Sequence, residues 1–510
     1  MSKPKKKSPL SPGEVFGEWT IEKHLGAGGN GDVWQASKPE QPPRAIKILR
    51  TINDETYARF KTEIVALEKL GSVKGIIPLL EKFIPDDKAD GPPWFSMPIA
   101  IPFSDYIKGK QAIDIVSDFI NLAEVVEHLH SRSIAHRDIK PANFLFYEGR
   151  LCLSDFGLVK YPERESITPV KRDIGAKYTM APEMRRTVHL ADGMPADVYS
   201  LAKSLWIAIT NVELGFDGQY TSASTLALSN YLPETYTTTL DRLLVECTET
   251  NPTLRPTISS FALRLKEWQK IVGDFHTRNL AEWTELTQRL FPMGAPERSS
   301  WTNIDSICAV ISEVAKVKAL NHMFYPNGGG NTITAVSRAP ENGMIALHVG
   351  EKFAEILKPA KLTYESFGSD TSWSYFRLEA APVKLSGVEN AADIDGISEA
   401  LTEITPGNYA PYRCWDCGEF NRKPLPDSAR PVSRYLKGSF VFFSTRSAYN
   451  QDPKTYDARH NEMPDYVPTS ATLSKVFLEQ GFALMTATAS LGSIATRSLR
   501  RLNRYCTSAR

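Results

Sequence analysis

The sequence predicts an α+β chain in two parts: a small β-rich lobe leading into a larger helical one, then a separate α+β domain. Three observations predict this. From Trp19 to Leu49 the pattern is strand-like with glycine interruptions. Helical spacing follows at Arg59–Leu70, with Phe60, Ile64, Leu67 and Leu70 on one face, recurs over residues 115–130, and dominates residues 195–272. After the Pro/Gly/Ser-rich stretch Pro292–Ser300 a new pattern begins, a helix from about Asn303 and then strands.

At 510 residues the chain exceeds one ordinary domain, since roughly 100–200 residues make one. Hydrophobic residues make up 42% and charged residues 23%, enough to build a sizeable core. A net charge of +1 argues against wholesale nucleic-acid binding. Six cysteines in this length read as reduced thiols of a cytoplasmic protein, not as a disulfide framework. The lysine-rich start, Met1 to Gly13, has no apolar run behind it and reads as a flexible basic arm, not a secretory signal. Phe482–Ala495 is too short and too rich in Ser and Thr to span a membrane, which takes about 20 apolar residues. The expected division is an arm at 1–13, a domain at 14–274, a linker at 275–300 and an α+β domain at 301–510.

The second part has its helix at 303–320, with Ile304, Ile307, Ile311 and Val314 sharing a face. A flexible turn is expected at Asn327–Asn331, strands at Met344–Val349, Trp373–Ala380 and Phe440–Ser444, and helix again from about Ala471 to Tyr505. Cys414 and Cys417 have metal-knuckle spacing without the second ligand pair a structural zinc site needs. Arg497, Arg500, Arg501 and Arg504 share a helical face; an acidic partner and a plain solvated face both fit.

The chemistry lies in the first part. Gly26, Gly28 and Gly31 fit G-x-G-x-x-G, with Val33 following; missing side chains let backbone N–H groups approach phosphate oxygens. Alone the string is weak, because glycine-rich hairpins are common. Lys47 stands in the apolar strand Ala45–Leu49, where its ammonium needs anionic partners. Glu63 on the next helix is the natural counter-ion, with Glu68 the next candidate; a lysine snorkelling to solvent is the plainer alternative. In His136-Arg137-Asp138-Ile139-Lys140-Pro141-Ala142-Asn143, Asp138 can take a proton from an attacking hydroxyl and Lys140 can neutralise developing charge. Asn143 offers an amide oxygen to a hard cation such as Mg²⁺, and Asp155 of Asp155-Phe156-Gly157 offers a carboxylate.

These motifs, in this order over residues of roughly 15–272, resemble the eukaryotic-type protein kinase family, and look closest to its bacterial, Hanks-type members. The resemblance implies a bilobal protein kinase fold, ATP and Mg²⁺ as cofactors and protein Ser/Thr hydroxyls as substrates. Lys140 points to serine/threonine specificity. Met97 looks like the gatekeeper, with the adenine bonding the carbonyl of Pro98 and the N–H of Ala100. Glu183 and Arg255 correspond to a buried structural ion pair, and Asp197 to a brace under the catalytic loop. Ala176 departs from the pattern: the family usually has a threonine there, helping to align the catalytic aspartate and lysine, and Tyr178 or Thr179 is left to compensate. Ser166 and Thr168 are candidate phosphorylation sites that Arg137 would read. A pseudokinase scaffold, and a sensor whose second part is the main binding module, remain as alternatives. The second part is expected to regulate the first or to dock a protein or ligand partner, and unfamiliar fused domains of this kind suggest stress or antiviral signalling.

Overall fold

The computed structural model describes residues 10–28, 31–50, 52–85, 91–160, 178–186, 191–233 and 235–317. Beyond these it describes 320–324, 330–339, 343–349, 353–366, 375–381 and the strands 401–405, 408–411, 434–436 and 438–443. The chain divides into two compact units, Met1–Val272 and Gly273–Arg510.

The first unit opens with strands β1 (Val15–Phe16), β2 (Trp19–Gly28), β3 (Gly31–Lys38) and β4 (Gln41–Leu49), then helix α1 (Asp54–Leu70), β5 (Glu81–Phe83) and β6 (Trp94–Pro98). They form an antiparallel sheet in the order β1-β2-β3-β4-β6-β5. On one face Trp19, Ile21, Trp34, Ala36, Ile46 and Ile48 make a core. The two-residue period of a strand therefore sends Lys47 to the other face, toward α1. Asn53 starts α1 through a capping box with Thr56: its side chain accepts from Thr56 N at 2.9 Å, and its own N donates to Thr56 Oγ1 at 3.1 Å. Phe60, Ile64 and Leu67 bury one stripe of the helix, with the Phe60 ring 5.3 Å from that of Phe95.

The rest of the unit is mainly helical. β7 (Ile101–Pro102) and α2 (Phe103–Tyr106) lead into α3 (Ala112–His130), and the hairpin β8 (Phe144–Tyr147) and β9 (Arg150–Leu153) follows. Then come α4 (Pro182–Arg186), α5 (Gly193–Thr210), α6 (Thr238–Cys247) and α7 (Ile258–Gly273). Helix α5 is buried on nearly every side, as a central helix must be if it is apolar all round. It packs on α3 and α6.

The second unit begins where a linker was expected. Residues 275–290 form helix α8 (Phe275–Leu290), and residues 298–301 form strand β10 (Arg298–Trp301). The linker reading is corrected because Trp283 and Leu286 are apolar, i,i+3 apart and buried in this unit's core. Helix α9 spans Ile304–Ala315, capped by Asn303, which accepts from Asp305 N and Ser306 N. Then come β11 (His322–Phe324), β12 (Gly330–Thr332), β13 (Ala335–Arg338), β14 (Ile345–Val349), β15 (Phe353–Glu365) and β16 (Tyr375–Ala381). After them stand β17 (Leu401–Thr405), β18 (Asn408–Pro411), β19 (Arg434–Leu436) and β20 (Gly438–Phe443). The main sheet runs β12-β11-β20-β16-β15-β14-β13, with β10 and β19 also paired to β15, while β17 and β18 pair separately. Gly330 and Asn331, expected in a turn, instead pair as β12 with β11. Ile307, Val310, Ile311 and Val314 of α9 pack with Leu362, Tyr364, Phe376 and Leu378 of the sheet.

The region expected to be helical at 471–505, Cys414, Cys417 and the four late arginines lie outside the described residues, as do Ser166, Thr168 and Ala176. Cys152, Cys247 and Cys308 are free thiols. Among the described residues no helix is long and apolar enough to cross a membrane, and no group of His, Cys, Asp and Glu side chains is arranged to hold a metal.

Candidate active site

Strand β4 lies between β3 and β6, so both its edges are bonded and Lys47 is fixed in register opposite Val33 and Phe95. Lys47 Nζ donates to Glu63 Oε1 at 2.6 Å and Oε2 at 2.8 Å, and lies 3.6 Å from Asp155 Oδ1. Lys47 and Glu63 are buried, at 7% and 4% exposure. Glu68, the rival on the same helix, bonds Lys82 instead. Burial opposes charge on the Lys47 ammonium, yet the carboxylates of Asp155 and Glu63 outweigh it and hold the lysine protonated, above its ordinary range. Burial pushes the Glu63 carboxyl up to about 7 against the pull of Lys47.

The loop after α3 carries the second group. Asp197 of α5 is fully buried and accepts from His136 N and Arg137 N, each at 2.7 Å; His130 Nε2 lies 3.1 Å from the same carboxylate. Asp197 thus holds two consecutive peptide units in a shape the loop would not keep alone: Arg137 has φ +66°, a left-handed conformation costly for a side chain with a Cβ. Lys140 Nζ donates to Asp138 Oδ2 at 2.8 Å. Asn143 Nδ2 donates to the Asp138 carbonyl at 2.8 Å and to Oδ2 at 3.2 Å, which orients its amide. Ser154 ties β9 to this loop, its N and Oγ each donating to Asn143 O at 3.0 Å.

Asp155 follows, again left-handed at φ +63°. Burial alone would raise its carboxyl, but Lys47, Lys140 and His136 hold it below the ordinary range, so it stays an anion. Phe156 is fully buried, its ring edge-on to His136 at 4.8 Å. The two left-handed residues, Arg137 and Asp155, flank the place where Lys47, Asp155, Asp138, Lys140 and Asn143 come together. Backbone strain concentrated at such a place is characteristic of a functional site.

The residues expected to cover a nucleotide lie on the same sheet. Gly26 pairs with Val33 across the β2–β3 hairpin, and Gly28 with Gly31. A Cβ added at Gly31 would meet Ile48 O at 2.8 Å, so glycine there serves the close approach of β4. A Cβ added at Gly26 would meet nothing within 4 Å, which leaves an open backbone face suited to a phosphate. Ala45 pairs with Met97 and Arg44 with Pro98, and Ala100 stands half-buried in the short connection between β6 and β7. An anionic carboxylate, an oriented amide and an open glycine backbone face form a donor set that fits a hard divalent cation bearing a polyphosphate.

Glu183 and Arg255 meet as the resemblance implied, and Asp197 braces the loop. Sequence reasoning missed His130, because one histidine at the end of an amphipathic helix carries no sign of the aspartate 67 residues away. It also missed Ser154, whose hydroxyl joins β9 to the loop.

A family model described as protein kinase domain matches residues 19–265. The serine/threonine-protein kinase PknF of Mycobacterium tuberculosis is 30% identical over 254 residues, covering 44% of this chain and 51% of PknF. The probable serine/threonine-protein kinase PkwA of Thermomonospora curvata is 27% identical over 276 residues, 50% of this chain and 35% of PkwA. The probable serine/threonine-protein kinase PknB of Lactococcus lactis is 28% identical over 232 residues, 43% of this chain and 35% of PknB. The matches thus span about half or less of these relatives' lengths.

Proposed function

Residues 19–265 are a protein kinase domain, and on that premise we propose that the chain transfers the γ-phosphoryl group of ATP to serine and threonine hydroxyls of proteins. The observation that carries the reading is the continuous charge network Glu63–Lys47–Asp155, set beside Asp138, Lys140 and Asn143. When bound, Mg²⁺ and ATP supply the phosphoryl group and the cation that offsets its charge. Asp155 and Asn143 are the residues to hold the metal; Gly26, Gly28, Gly31 and Val33 cover the phosphates, and Pro98 and Ala100 hold the adenine.

Lys47, kept protonated and fixed by Glu63, presents its ammonium to the phosphates. Asp138 orients the substrate hydroxyl and accepts its proton. Lys140, already bonded to Asp138, stabilises charge developing on the transferred group. Most of the catalytic benefit comes from holding these groups in place before reaction, which the Asp197 brace and the Ser154 tie serve. A pseudokinase reading has nothing to favour it, since all the charged partners that transfer needs are present and engaged.

The described residues of the second unit carry no second set of such groups. We assign that unit to regulation or to docking of a protein or ligand partner, in a cytoplasmic setting. No described residue bears on a stress or antiviral role.

The test is phosphate incorporation by the purified full chain from labelled ATP, wild type against Asp138→Asn. Wild type should label Ser and Thr, and the variant should lose at least ~10²-fold in rate while still binding ATP. Undiminished labelling by the variant would overturn the catalytic assignment, and labelling confined to tyrosine would overturn the Ser/Thr assignment.

A further inference from the structure

We propose that Thr179 is a positioning residue for Asp138, acting through one water held between them; the proposal rests on the kinase reading above. The direct grip on the Asp138 side chain is one-sided. Lys140 Nζ and Asn143 Nδ2 both bond Oδ2. A further donor on Oδ1 would hold the carboxylate plane from its other side, and a base that must meet a substrate hydroxyl within hydrogen-bond reach loses rate when it is misplaced.

Behind Asp138, between the catalytic loop and α5, lies a cavity of about 10 Å³ whose lining includes Arg137, Asp138, Thr179, Met184, Ala196 and Ser200. That is close to the space of one water molecule, and an ordered water needs two to four polar partners. Among the residues that line it, Asp138, Thr179 and Ser200 have oxygen-bearing side chains able to serve. Thr179 is 3% exposed and Ser200 8%, so both are withdrawn from bulk solvent. Met184 and Ala196, at 3% and 2%, close the apolar side.

The walls are rigid for reasons already given. Arg255 locks Glu183, next to Met184, through two hydrogen bonds. Asp197, next to Ala196, pins the loop that bears Asp138. Thr179 and Asp138 thus line one small gap with braced walls, across which a water-mediated bond rivals a direct one in enthalpy. The chain lacks a hydroxyl at Ala176 and supplies this one three residues later.

The experiment compares Thr179→Val, which keeps the shape and removes the hydroxyl, with Thr179→Ser, which keeps the hydroxyl and removes a methyl. Both are measured in the full chain with ATP and casein, together with melting temperature. The expected result is a kcat roughly 10- to 100-fold lower for Thr179→Val at unchanged KM for ATP, the signature of an interaction made only in the transition state. Thr179→Ser should recover most of that loss. A Thr179→Val enzyme as fast as wild type overturns the proposal. So does a Thr179→Ser enzyme as slow as Thr179→Val, which would make the effect one of packing. If Thr179→Val lowers the melting temperature, the serine variant still decides between hydroxyl and packing. An inactive wild type would sink the kinase reading itself, whereas an active wild type with an equally active valine variant sinks only this inference.

Discussion

Arg255 and Glu183, separated by 72 residues, meet in a two-pronged ion pair, Nη1 to Oε1 at 2.6 Å and Nη2 to Oε2 at 2.9 Å. The guanidinium also donates to the carbonyls of Glu249 at 2.8 Å and Pro195 at 3.1 Å, and the Arg255 side chain has no solvent exposure. One residue thereby ties together the first turn of α4, the start of α5 and the turn after α6. Arg255→Ala would leave a largely buried carboxylate without its main partner, a loss of about 3 kcal/mol or more. We expect the melting temperature of the first unit to fall by roughly 6–12 °C. Arg185→Ala, which breaks an exposed pair with Asp217 at 3.1 Å, should change it little. Equal effects of the two substitutions would contradict this distinction.

Lys47→Met should cut transfer severely, because the phosphates lose their cation and Glu63 its partner. Glu63→Gln should be milder, since Lys47 remains beside Asp155. The pH dependence carries a sign of its own. Glu63 must be ionised to hold Lys47, and its carboxyl is pushed up to about 7 by burial. Activity should therefore fall as pH drops through about 7, and that acid limb should be missing from the Glu63→Gln profile. A wild-type rate flat from pH 8 to roughly 5.5 would remove the basis for it.

Lys203, on α5, is 1% exposed and donates to Phe216 O at 2.7 Å. Burial pulls its pKa down to about 7, with the Asp217 carboxylate opposing. In the unfolded chain a lysine titrates near ~10.4. Between about 7 and that value the unfolded state binds the extra proton, so stability rises with pH, by up to about 1.4 kcal/mol per unit from this group. Below about 7 the folded state takes up the proton too and the slope vanishes. Denaturant unfolding at pH 7 and pH 9 should show a smaller gain for Lys203→Met than for wild type. Identical gains would show that this amine stays protonated throughout.

Trp283 anchors the second unit, its ring 6.0 Å from Tyr364 and 5.5 Å from Phe376, and it is 2% exposed. Trp283→Ala should cost about 3–5 kcal/mol there by opening a cavity. Limited proteolysis of the full chain, followed by mass spectrometry, should then show cleavage beyond Gly273 with residues before Val272 still protected. Unchanged protection of both units would argue against Trp283 as a core anchor.

The residues proposed to carry phosphoryl transfer were legible without coordinates, because their types and spacing are constrained by that chemistry. A lysine in an apolar strand, an Asp–Lys–Asn run and a second aspartate are each costly or uninformative alone and informative together. Periodicity placed α1, α3 and α9, since a helix must present one apolar face. It failed at α8, where a Pro/Gly/Ser-rich stretch just downstream suggested a linker and the burial of Trp283 depends on strands far along the chain. It also failed at β15, the long strand on which the second sheet is built. Pro359 interrupts its pattern and sits at a register shift, where a missing N–H is tolerated.

What the sequence determined by itself was therefore local: which segments alternate at two or at 3.6, where glycine opens a backbone face, and which side chains have the chemistry. What only the tertiary structure decided was partnership. Glu63 rather than Glu68 holds Lys47, because only one face of α1 turns toward the strand bearing that lysine, while Glu68 finds Lys82. Asp197 bends the loop around Arg137 into a left-handed shape that its own residues disfavour. Thr179, one ordinary hydroxyl in the string, shares a gap with Asp138 only because α5 and the catalytic loop form its walls. Hydrogen bonds and ion pairs act over about 3 Å, and the chain brings such groups within that reach only after its cores have packed.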